Sequence, residues 1–222
     1  MLSVSSMNLK WKHPFSAIVA GPSGSGKSHF VTRFITNSRH MCDTDFKNIH
    51  WHHGSGVQPP LTDARIQFKT GLPNMDDFDG SNGSNLIIID DMMRESDANV
   101  VDLFTKGSHH RSLSVFFITQ NLFHQGRGQR DISLNAHYIV CFKNPRDRAQ
   151  IRHLARQVFP DDSKFLEESY ADATRTPHGY LLLDLKQSTP DELRVRTRVF
   201  PDDAPYNYVY QPTVGVKNRR RT

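Results

Sequence analysis

Gly21-Pro22-Ser23-Gly24-Ser25-Gly26-Lys27-Ser28, followed by His29, is the stretch that decides the fold. Residues 16–20 are a short apolar run that ends at these glycines, and residues 29–35 carry apolar side chains at helical spacing. The order is therefore strand, loop, helix. Such a loop presents consecutive backbone N–H groups at a helix N-terminus, and glycine lets a ligand come close to them; a chain of phosphates needs both. Lys27 is expected to reach the β- and γ-phosphates of ATP and the Ser28 hydroxyl to ligate Mg²⁺, with Pro22, Ser23, Ser25 and His29 completing the cradle around Gly21, Gly24 and Gly26. The rival glycine pattern, GxGxxG of dinucleotide-binding proteins, is excluded because His29 stands where its third glycine falls.

Outward from the loop, strand-like and helix-like runs alternate. Strands are expected at residues 49–51, 66–68, 86–89, 115–119 and 138–142, and helices at 99–106, 146–158 and 164–173. Residues 73–85, rich in Asp, Gly, Ser and Asn, read as a surface loop. Two further runs, 180–185 and 193–200, the second alternating Arg with apolar residues, read as a hairpin on one sheet edge. The fold class is then α/β: a phosphate-loop domain with a mainly parallel central sheet flanked by helices and a C-terminal β-hairpin extending one edge. One such domain is expected at residues 14–205, with an N-terminal extension (1–13) and a basic C-terminal tail (206–222).

Chemistry is expected at the ends of the two most apolar strands. The aliphatic run 86–89 closes on Asp90 and Asp91, at the carboxyl edge where α/β sheets bind ligands. Asp90 is assigned to the metal and Asp91 to the attacking water, since hydrolysis needs a second acid there; the bland alternative is a pair of acids capping a helix. The run 115–119 ends at Gln120, a neutral amide able to sense a γ-phosphate by hydrogen bonding without adding charge.

Composition sets bounds. The chain has 222 residues, a net charge of +5 and a pI near 9.3, which fits a polyanionic partner without requiring one. Cys42 and Cys141 are far apart and outside any CxxC, so neither a disulfide framework nor a zinc ribbon is suggested. His40, Cys42, His50, His52 and His53 cluster in sequence without the spacing of a zinc finger. No apolar run approaches the ~20 residues needed to span a bilayer, and the N-terminus lacks a signal-peptide pattern. A soluble intracellular protein with no membrane partner is the expectation.

The run Phe104-Thr105-Lys106-Gly107-Ser108-His109-His110-Arg111, then Val115-Phe116-Phe117-Ile118-Thr119-Gln120-Asn121-Leu122-Phe123, resembles the packaging ATPases of Polinton/Maverick-type and adintovirus-like DNA elements. The similarity continues through Ser133-Leu134-Asn135-Ala136-His137-Tyr138 and Phe142-Lys143-Asn144-Pro145-Arg146-Asp147, over about residues 14–201. These proteins belong with the poxvirus-like packaging ATPases of the FtsK/HerA superfamily. The resemblance implies a homo-oligomeric ring that drives double-stranded DNA, without regard to sequence, into a capsid, beside a capsid or portal protein, in the host nucleus or at the virion assembly site. It implies a Gln beyond the acid-bearing strand, which Gln120 matches. It also implies an arginine just before that Gln-bearing strand that reaches the neighbouring subunit's nucleotide, which Arg111 matches; Arg146 and Arg148 are a second source. The basic loop with Arg127 and Arg130 is a candidate for phosphate contacts to DNA. Two other classes remain: a small-molecule phosphotransferase using Arg127 and Arg130 in a lid, and a nonhydrolytic ATP switch. The paired acids and Gln120 oppose the first, and the intact set of Lys27, Ser28, Asp90 and Asp91 opposes the second.

Overall fold

Every residue of strand β1 (Ser16–Ala20) is buried, because it lies inside a sheet covered on both faces, which is why its sequence is nearly continuously apolar. The computed structural model describes residues 9–54, 61–74, 77–78, 83–92, 101, 112–122, 129–203, 205 and 207–212, with the backbone alone for 129–131. From β1 the chain passes through helix α1 (Lys27–Thr36) and a short α2 (Ser38–Met41) to β2 (Asn48–His53), β3 (Ile66–Thr70), β4 (Asn85–Asp90) and β5 (Leu113–Thr119). Helix α3 (Gln129–Leu134), β6 (Tyr138–Phe142), α4 (Ala149–Val158), α5 (Ser163–Ala173), β7 (Tyr180–Asp184), β8 (Val195–Thr197) and β9 (Tyr208–Tyr210) follow.

The strands form one sheet in the order β3-β2-β4-β5-β1-β6-β7-β8-β9. The first six are parallel, and β7, β8 and β9 add antiparallel to one edge. The expected hairpin is thus present and is widened by a third strand. Its second strand is shorter than the alternation predicts. Arg198 takes φ 50°, a conformation that an L residue with a long side chain adopts only at a turn, and this ends β8.

Strand alternation sends side chains to two cores. Ala17, Val19, Trp51, Ile88 and Phe116 meet Phe30 and Phe34 of α1 on one face. Ile18, Ile87, Ile89 and Phe117 meet Leu154 of α4 and Leu166 of α5 on the other. The packed body reaches past both boundaries drawn from sequence. Trp11 is buried, stacks on Tyr138 with ring centroids 4.0 Å apart, and donates its backbone N–H to the Met41 carbonyl at 2.7 Å; Tyr208–Tyr210 belongs to the sheet. Residues 73–85 are not wholly a surface loop either, since Phe78 is buried against the His50 ring.

Helix α4 starts three residues later than its apolar spacing suggests. The Asn144 side chain accepts from Arg146 N–H and that of Asp147 from Ala149 N–H, and these local bonds hold the chain in turns before the helix begins. The expected basic loop at 122–131 is not wholly a loop, since Gln129–Leu134 is helix α3; its residues 123–128, most of the expected helix 99–106, Arg111 and the tail beyond 212 lie outside the described residues. Among the described residues no helix is long and apolar enough to cross a membrane.

Candidate functional site

The phosphate loop joins β1 to α1 in the middle of the parallel sheet. Gly26 occupies the N-cap of α1 at φ 106°, and no side chain caps the helix. The first-turn N–H groups, which a helix leaves without intrahelical partners, are therefore available to an anion. Gly21 is needed for a different reason: a Cβ there would lie 2.7 Å from the Phe142 Cβ.

The sheet order explains which residues gather around the loop. β5 lies between β1 and β4, so the residue that ends β5 stands between the loop and the acids that end β4. Gln120 occupies that place, and its side-chain N–H group meets both Asp91 carboxylate oxygens, at 3.2 and 3.1 Å. Asp91 takes φ 52°, tied by its N–H to the Ile118 carbonyl. Aspartate tolerates this left-handed conformation better than most residues. Beside it, the Ser28 hydroxyl donates to Asp90 Oδ2 at 3.3 Å, and so does the Trp51 indole N–H, also at 3.3 Å.

Lys27 is buried and its ammonium donates to the Gly21 and Pro22 carbonyls at 2.8 and 3.0 Å. Burial pushes its pKa down, while the charges of Asp91 and Asp90 oppose the change. Burial likewise raises the Asp90 carboxyl above the usual carboxylate range; the Trp51 and Ser28 donors work against that, and the neighbouring Asp91 charge adds to it. A hydroxyl and a half-buried carboxylate 3.3 Å apart are hard oxygen donors of the kind Mg²⁺ accepts while keeping several waters. The loop N–H groups and Lys27 suit a phosphate chain.

Three contributors escape a reading along the chain. Trp51 orients Asp90 from the neighbouring strand β2; the signal, a buried Trp whose N–H needs an acceptor, does not name its partner. Gln150 of α4 accepts from Leu122 N–H at 2.7 Å and donates to Asn121 and Asp147, fixing the segment that follows Gln120. His178, at φ 59°, brings its ring against Gly26, with Nδ1 3.1 Å from the Ser25 carbonyl oxygen.

Arg146 and Arg148 are exposed just beyond β6, on the same sheet edge as the loop. The sequence cluster of histidines and Cys42 divides between the faces of the sheet. His50 contacts Phe78 on one face while Cys42 packs in the core on the other.

No protein-family model and no curated protein sequence matches the chain. Solved structures do resemble it. The genome packaging NTPase B204 of Sulfolobus turreted icosahedral virus 2, in complex with ATP-γS, superposes with a TM-score of 0.56 at 14% identity, over 90% of this chain and 98% of that one. The AMPPCP complex of the same NTPase gives 0.54 at 14% identity, over 93% and 100%. At this identity the likeness establishes the fold: an α/β domain with a large, mostly parallel sheet, shared over nearly the full length of both proteins.

Proposed function

We propose that the chain is an ATPase that moves double-stranded DNA, packaging a viral-type genome. The observation that carries the catalytic part is the convergence of two side-chain pairs beside the uncapped N-terminus of α1: Ser28 with Asp90 at 3.3 Å, and Asp91 with Gln120 at 3.1 Å. In this reading the loop N–H groups hold the phosphates, and Lys27 leaves the Gly21 and Pro22 carbonyls for the β- and γ-phosphate oxygens. Ser28 and Asp90 are the residues that would hold Mg²⁺, and the ion would supply positive charge against that developing on the phosphates. Asp91 orients the attacking water. Gln120, bonded to Asp91 in the free protein, is within reach of a γ-phosphate and reports its presence to the segment that Gln150 fixes.

The packaging role draws on the resemblance of residues 104–147 to packaging ATPases, on the fold shared with B204, and on the net charge of +5, which suits contacts to DNA phosphates. A ring is what an arginine acting across a subunit boundary would require. Arg111, the residue that the resemblance matches to this role, would serve the nucleotide of a neighbouring subunit. Asp91 and Gln120 speak against the phosphotransferase, which transfers to an acceptor that water must not replace.

Subunit mixing tests the shared site. Arg111→Ala alone is expected to bind ATP normally and to lose turnover by about 1000-fold. Mixed with Lys27→Ala subunits, which keep Arg111, it should regain a measurable part of that turnover. Assembly without any recovery would contradict the trans role.

A further inference from the structure

The direction of a bound triphosphate is set by the residues around the loop. Asp90, Asp91 and Gln120 lie on the β4/β5 side of β1, so the γ end points there and the nucleoside must leave toward β6 and β7. On that side, sharing Gly26 and His29 with the loop, opens a cavity of about 820 Å³. Its size lies within the range of small-molecule pockets.

The cavity is lined by aromatic rings at its base: Phe30, Tyr180 and Phe200 pack edge to face, with centroids 5.0 and 4.9 Å from Phe30. The acids around it are engaged. Asp203 accepts from Arg33 at 3.0 Å, Asp202 is also bonded to Arg33, and Asp172 accepts from the Tyr210 hydroxyl at 2.7 Å and from Arg175 at 2.9 Å. With these acids held by Arg33, Arg175 and Tyr210, the aromatic base of the cavity suits a flat ring system, and Arg198 and His178 also line it. At the mouth the Tyr208 ring is 45% exposed and meets Tyr210 edge-on at 5.0 Å. His178 and Arg198 line the same cavity in left-handed backbone conformations, and strain of this kind gathers at ligand sites.

We propose that this cavity, walled by α1, the 176–179 turn and the C-terminal strands β8 and β9, is the nucleoside pocket, with Tyr208 as the surface on which the base stacks. The assignment rests on the phosphate-loop reading and adds to it where the base and ribose lie. It also gives the three-residue edge strand β9 a role: a bound nucleoside fastens it to the body of the domain.

Calorimetry with the full chain, using ATP and inorganic tripolyphosphate as separate probes, tests this. Tyr208→Ala should weaken ATP about tenfold, as expected for loss of a stacked aromatic, and leave tripolyphosphate within about twofold. Thr176→Trp, at an exposed lining position, should fill the cavity and produce the same split. Hydrogen exchange at residues 208–210 should slow with ATP and not with tripolyphosphate. Wild-type ATP affinity in both variants would overturn the pocket, and so would an equal loss for both probes, which marks damage to the loop. Lys27→Ala separates the two readings: if it binds both probes as the wild type does, the phosphate loop itself is misassigned.

Discussion

Asp91→Asn is expected to leave ATP affinity within about twofold and to lower turnover by at least about 100-fold, the usual contribution of a group that handles a proton in the transition state. The substitution is chosen because Asn tolerates the left-handed backbone at φ 52° as Asp does, so the turn that follows β4 is preserved. What changes is the chemistry. The amide keeps one oxygen to accept from Gln120 and loses the charge that directs and polarises a water. ATP should still raise the melting temperature of this variant, since stabilisation by a ligand depends on binding alone. Turnover near the wild-type rate would remove Asp91 from the mechanism.

Lys27→Ala is expected to act earlier. Lys27 is buried among the loop carbonyls with Asp90 and Asp91 near it, and removing a buried cation leaves the phosphate chain and both carboxylates without their counter-charge. Losses of 2–5 kcal/mol are usual for truncating one partner of a buried charge pair, so ATP affinity should fall by about 30-fold or more. The same buffer and nucleotide that raise the melting temperature of the wild type and of Asp91→Asn should then leave this variant's unchanged. The fold itself should persist, because the hydrogen bonds of the Lys27 ammonium among the described residues are to the Gly21 and Pro22 carbonyls of its own loop. A nucleotide-induced shift of wild-type size would place the phosphates elsewhere.

Contrast between these residues and their supports explains what a sequence reader sees. The loop, the acids after β4 and Gln120 are legible because each sits at the end of an apolar strand, and a parallel sheet brings all such ends to one edge. Strand order is not local information. That β5 intervenes between β1 and β4, and so sets Gln120 against Asp91, depends on pairings such as Ile18 with Phe117, which no periodicity encodes. The roles of Trp51 and His178 are illegible for the same reason: the Asp90 partner of Trp51 is 39 positions away, and the Ser25 partner of His178 is 153 away. The third strand of the C-terminal flank is not legible because Tyr208–Tyr210 is too short for an alternating pattern to stand out, and the alternation overstates β8 because a left-handed Arg198 leaves no mark on composition.

ATP turnover by the purified chain, with and without long double-stranded DNA across a salt series and with Lys27→Ala as the blank, tests the proposed DNA-driven ATPase most directly. The account predicts turnover that DNA stimulates at low salt and that loses this stimulation as salt rises, since contacts to phosphates release counterions. Turnover indifferent to DNA at every salt, and raised instead by a nucleoside or nucleotide acceptor, would contradict it.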